Sequence, residues 1–66
     1  MDLERLAKAI KHRRKEKKLT QEELADRAGV ASSTVSNLEH GLHVPSIDLL
    51  DAVLRPLELD IRNYLS

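Results

Sequence analysis

Sixty-six residues allow one domain, near the lower size limit for folding without covalent staples; with no cysteine, disulfides and thiolate metal sites are excluded and a reducing compartment fits. An apolar content of 41% with one Tyr, no Phe and no Trp allows a small aliphatic core, and apolar runs of only a few residues predict neither a membrane span nor a signal peptide, hence a soluble, cytoplasmic protein. Net charge is zero, yet residues 1–18 hold eight Lys or Arg against three carboxylates, a net of +5, and residues 19–66 hold −5.

Asp2 suits the N-cap of a first helix from about Leu3 to Lys17. Leu3, Leu6, Ala7 and Ile10 fall on one stripe at helical spacing, and Arg14 continues that stripe as a charge. The cationic last turn, Lys15 to Lys18, suits the negative end of the helix dipole, which is the ordinary reading of the cluster. Phosphate, however, responds to potential within about 8–10 Å, so a neutral chain can still present one basic face.

Leu19 precedes Thr20-Gln21-Glu22-Glu23, a capping box with Thr20 as N-cap and Glu23 reaching back. Leu24, Ala25 and Ala28 give the second helix a narrow face of mostly small residues, and Gly29 fits the left-handed position that ends it. A third helix runs roughly from Ser32 to His40, with Val35 and Leu38 buried. Its N-cap position holds Ala31, and loss of a Ser or Thr cap costs about 1 kcal/mol unless Ser32 takes over. The opposite face reads Ser32, Ser33, Ser36, Asn37 and His40. Ser, Thr, Val and Asn are poor helix formers, so the helix gives up roughly 2–3 kcal/mol of propensity. Short hydrogen-bonding side chains on such a face suit close approach to a DNA groove. Glu39 lies near the apolar phase, as Arg14 does. A buried charge survives only if paired, so the two are expected to bond and pin helix 1 to the end of helix 3.

Gly41 closes that helix, Leu42 to Pro45 connect, and Ser46 caps a fourth helix, Ile47 to about Leu54, expected to bury Ile47, Leu50, Val53 and Leu54. Pro56 ends it. Leu57 and Leu59 lead to Asp60, the N-cap of a short final helix from Ile61 to Leu65. No repeat, low-complexity tract or strand-type alternation is present. His12, His40 and His43 lack metal-site spacing, no phosphate-binding glycine loop or nucleophile motif exists, and Ser32, Ser33 and Ser36 have no base at triad-like spacing. Neither an enzyme nor a metal, cofactor or small-molecule ligand is expected.

The stretch LTQEELADRAGVASSTVSNLEHGLHVPSIDLLDAV resembles the helix-turn-helix family of phage repressors and Cro proteins, which includes many bacterial xenobiotic-response regulators. The matching positions are Leu19-Thr20-Gln21, Leu24-Ala25, Gly29-Val30, Ser33-Thr34-Val35-Ser36, Leu38-Glu39, Gly41 and Pro45-Ser46, and the likeness runs from about residue 6 to residue 65. It implies an all-α, compact five-helix domain of the lambda-repressor type over residues 1–66, its third helix in the major groove. It also implies a homodimer on half-sites ~34 Å apart, acting as a transcriptional regulator, with repression the expected direction. Ser32, Ser33 and Asn37 match base-contacting places, Gln21 a phosphate grip at the start of helix 2, and Thr34 and His40 further backbone contacts. Arg14 with Glu39 matches the family's internal ion pair.

The chain departs from the family where a Gln able to bond adenine bidentately is replaced by Ser32, which shifts the reading of bases to Asn37, Ser36 and DNA shape. Basic residues common around positions 40–44 are replaced by His40, Leu42 and His43, which shifts phosphate contacts more to Arg13, Lys17 and Lys18 at the end of helix 1. Leu42, Leu49, Leu59 and Tyr64 are surplus apolar residues, some of them core and some candidates for a dimer surface. The competing class is a protein-interaction helix-turn-helix, antitoxin-like or bridging, supported by zero net charge and an acidic second half. A chain ending at Ser66 fits a whole small regulator or the head of a longer one.

Overall fold

The structure, a computed structural model, describes residues 2–42 and 44–64. Four α-helices follow one another: α1 (Leu3–Glu16), α2 (Gln21–Ala28), α3 (Ser32–His40) and α4 (Ile47–Leu54), then a 3₁₀ turn over Ile61–Tyr64. The fifth helix expected from Ile61 to Leu65 is therefore a correction. Asp60 accepts from the Arg62 backbone N–H at 2.9 Å and its carbonyl takes the Asn63 N–H at 3.1 Å, a three-residue hydrogen-bond step that closes a 3₁₀ rather than an α turn. Leu65 and His43 lie outside the described residues.

Local chemistry sets the boundaries. The Asp2 carboxylate accepts from Arg5 N–H at 3.0 Å and starts α1. Its end is a Schellman turn: Leu19 N–H bonds the Arg14 carbonyl at 3.1 Å and Lys18 N–H the Lys15 carbonyl at 3.0 Å, with Lys18 at φ 58°. The capping box of α2 is complete, with Thr20 Oγ1 accepting from Glu23 N–H and Glu23 accepting from Thr20 N–H. Gly29 ends α2 at φ 72°; a Cβ there would meet nothing within 4 Å, so the backbone angle, not crowding, calls for glycine. Ser46 caps α4 through Leu49 N–H.

The core gathers Leu6 and Ile10 of α1, Leu24 and Ala25 of α2, Val35 and Leu38 of α3, and Leu50, Val53 and Leu54 of α4. Leu57 and Tyr64 join it from the chain that follows. Helix α3 packs against both α2 and α1, and α4 packs against α2. Ile47, expected to be buried, is 54% exposed. It shares the phase of Leu50 but occupies the first position of α4, beyond the reach of the core. Leu57 is fully buried despite lying outside any helix, because the turn after α4 (Leu59 N–H to the Leu54 carbonyl, 3.1 Å) folds it back beneath the bundle. Among the described residues, no helix is long and apolar enough to cross a membrane.

Candidate nucleic-acid interface

With Val35 and Leu38 turned into the core, the helical period leaves Ser32, Ser33, Asn37 and His40 exposed and Thr34 and Ser36 half-buried. Ala31 holds the N-cap position in an extended conformation with no side-chain cap. The His40 ring Nδ1 lies 2.7 Å from the Ser36 carbonyl, which makes Nδ1 the donor and leaves Nε2 facing away. Thr34, Asn37 and Leu38 form one wall of a groove of about 260 Å³; Val44, Pro45 and Leu49 form the other.

Gln21, Arg14 and Glu39 converge from three helices. Arg14 donates from Nε to Glu39 Oε2 at 2.6 Å, from NH2 to Oε1 at 3.0 Å, and from NH1 to the Leu19 carbonyl at 2.8 Å. Gln21 Nε2 donates to Glu39 Oε1 at 3.1 Å. Burial alone would push the Glu39 carboxyl up, but hydrogen bonds from Arg14 and Gln21, with the charges of Arg14 and Lys11, outweigh it and hold the group below its ordinary value. The hydrogen bond to Glu39 likewise raises Arg14. Sequence reasoning assigned Gln21 to phosphate and left it out of this cluster. Nothing in a separation of 18 residues announces the bond.

The basic end of α1 is arranged differently from the expectation. Arg13 NH1 donates to the Leu57 carbonyl at 2.9 Å and its Nε lies 3.2 Å from Glu16; Lys17 Nζ bonds Glu58 at 2.9 Å. Both cations are thus tied to the turn after α4 or to their own helix. Lys18 is exposed and makes no ion pair among the described residues. Lys11, which sequence reasoning passed over, lies near enough to Glu39 to act on its charge. Its signal was the three-residue spacing to Arg14, which puts the two on neighbouring positions of one helix face.

The apolar candidates also redistribute. Tyr64 is buried, with Arg5 5.1 Å from its ring centre, and Leu49 and Leu59 pack against the core. Tyr64 is a core residue, whereas Leu49 and Leu59 are partly buried, and Leu49 also lines the groove beside α3. Leu42 is exposed, as are Val44 and Ile47, which sequence reasoning did not single out as exposed.

A family model described as helix-turn-helix matches residues 10–62. The chain is 48% identical over 48 residues to an uncharacterized HTH-type transcriptional regulator of Methanothermobacter thermautotrophicus, covering 73% of this chain and 70% of that protein. It is 39% identical over 62 residues to the HTH-type transcriptional regulator SinR of Bacillus licheniformis, covering 92% of this chain but 56% of SinR. It is 34% identical over 61 residues to the ImmF control region 10 kDa protein of Bacillus phage phi105, covering 92% and 68% respectively. No solved structure matches the chain.

Proposed function

The chain belongs to the helix-turn-helix family, and on that premise we propose that it binds double-stranded DNA as a transcriptional regulator, presenting α3 to the major groove. The observation that carries the reading is the uncharged polar face of α3. Ser32, Ser33 and Asn37 stand exposed there, over a helix whose other side is fixed in the core. Asn37 is the principal base reader: its amide can meet both N6 and N7 of adenine, worth about 1–3 kcal/mol of discrimination. Ser32, Ser33 and the half-buried Ser36 supply shorter, less selective contacts. Gln21, Thr34 and His40 serve the phosphate backbone, joined by Lys18. Arg13 and Lys17 contribute to this surface only by exchanging their bonds to the 55–58 turn and Glu16 for phosphate. On this reading the protein acts in the cytoplasm, at the DNA, and it is a binding protein rather than an enzyme.

A homodimer that represses from a pseudo-palindromic site is the finer form of the proposal. Its contact surface is drawn from the exposed Leu42, Val44 and Ile47, since Tyr64 is buried and Leu49 and Leu59 are partly covered by packing on the core. The same exposed apolar residues favour a second reading, a module that docks a different protein through them. Selection of bound duplexes from a random pool, with the mass of the complex measured, tests both. Recovery of a two-fold symmetric sequence in a complex of two chains supports the proposal. Equal retention of every duplex, unaltered by Asn37→Ala, overturns sequence-specific recognition. No duplex binding at low salt, with a protein partner captured through Ile47, favours the second reading.

A further inference from the structure

Glu39 is buried where an ion pair alone would account for it, but its Oε1 accepts from two residues with different prospects. One is Arg14, enclosed and bonded through each of its three nitrogens; the other is Gln21, half-buried at the first position of α2. An ionised carboxylate only accepts hydrogen bonds, so of the two ends of a glutamine amide only the NH₂ can face it. One N–H then lies in the bond to Glu39, and the other is left to donate elsewhere.

We propose that Glu39 is a positioning residue for DNA binding: it holds the Gln21 amide so that the remaining N–H is presented to a backbone phosphate before DNA arrives. The inference rests on the DNA-binding reading above and adds to it a role in affinity for a group that never meets the nucleic acid. Arg14 takes part by fixing the carboxylate from its far side through Nε and NH2. Without the carboxylate, the amide oxygen and nitrogen become interchangeable in orientation, and one orientation turns an acceptor toward an anion. The side chain must also then lose its rotamer freedom on binding. Ordering one such side chain changes affinity by about two- to tenfold per protomer.

A double-mutant cycle tests this. Arg14→Met with Glu39→Met replaces the ion pair by apolar groups, an exchange that buried pairs often tolerate without loss of fold. It is made in the wild-type and Gln21→Ala backgrounds. Binding to a mixed-sequence duplex at low salt is measured where circular dichroism shows all four proteins folded, because a phosphate contact is indifferent to sequence. The expected result is an approximately two- to tenfold loss in the wild-type background and no further loss in the Gln21→Ala background. Equal losses in both would assign Glu39 to the fold alone and overturn the inference. Should the paired variant fail to fold, the Gln21 side-chain amide of the free wild-type protein is read by ¹H–¹⁵N spectra. One proton slow to exchange with water while its geminal partner exchanges freely, both moved when Glu39 titrates, is expected; two protons that exchange equally fast and ignore the titration of Glu39 overturn the inference. Wild-type protein that bound no duplex would remove the DNA-binding reading itself, whereas binding without coupling removes only the role of Glu39.

Discussion

Arg14 and Glu39, 25 residues apart, share two hydrogen bonds with their side chains 11% and 2% exposed. Two charges withdrawn from water to this degree persist only while each neutralises the other, so the pair holds the last turn of α1 to the last turn of α3. Glu39→Gln keeps the shape and removes the charge, leaving Arg14 uncompensated. Such changes cost ~3–5 kcal/mol. Urea denaturation at neutral pH should show a loss of that order; a loss below about half a kcal/mol would mean that water already screens both groups.

The same pair sets an acid limit. The Glu39 carboxyl is held below its ordinary value in the fold, so its contribution to stability is fully present above the carboxylate range of the unfolded chain. It is lost as pH falls through the depressed folded value. Asp60, brought down to about 2 by hydrogen bonds from Arg62, follows the same sign and keeps its bond to the 3₁₀ turn until pH falls to about that value. Denaturation midpoints followed downward from neutral pH should fall through this window, and Glu39→Gln should flatten the fall. A variant curve parallel to the wild type would assign the acid sensitivity to other carboxylates.

Where α1, α2 and α4 begin was legible because capping is local: Asp2, Thr20 with Glu23, and Ser46 act within three residues of themselves. The exposed polar face of α3 was legible from helical period alone. What depended on the chain after α4 was not. Pro56 announced the end of that helix, but no pattern states that the next turn carries Leu57 into the core, or that it draws Arg13 and Lys17 with it. Periodicity likewise put Ile47 on the buried face of α4, since it reports direction around an axis and not how far the core extends along it. Two substitutions weigh these against each other. Leu57→Ala should cost ~2–5 kcal/mol, as for a filled core position, while Ile47→Ser should stay within about half a kcal/mol. Thermal denaturation of the monomer reads both, and a reversal of their order would contradict the packing described.

Lys18 holds a left-handed backbone conformation (φ 58°) that favours glycine, at the turn between α1 and α2. A side chain there is strained by about 1–2 kcal/mol, part of which glycine returns through its freer unfolded chain. Lys18→Gly should therefore raise stability by roughly 0.5–1 kcal/mol. If Lys18 meets phosphate, the same change weakens binding to all duplexes and reduces the salt dependence by about one ion. Stability and affinity would move in opposite directions, which folding damage cannot imitate. Unchanged salt dependence would remove Lys18 from the interface.

Helix α3 exists against its own sequence. It lacks a side-chain cap at Ala31, and residues 32–37 are drawn from the weaker helix formers. A helix of nine residues, six of them of this kind, is not stable alone in water, so its order derives from Val35 and Leu38 locked against α1 and α2. Two outcomes follow. A peptide spanning residues 31–41 should show no helical circular dichroism in buffer. Ala31→Ser, at a backbone already extended as a cap requires (φ −75°, ψ 149°), should stabilise the domain by ~1 kcal/mol, about 4–8 °C in Tm. A cap that added nothing would mean that packing alone already holds the first turn, because a serine oxygen at this position has the Ser33 and Thr34 N–H groups within its usual reach.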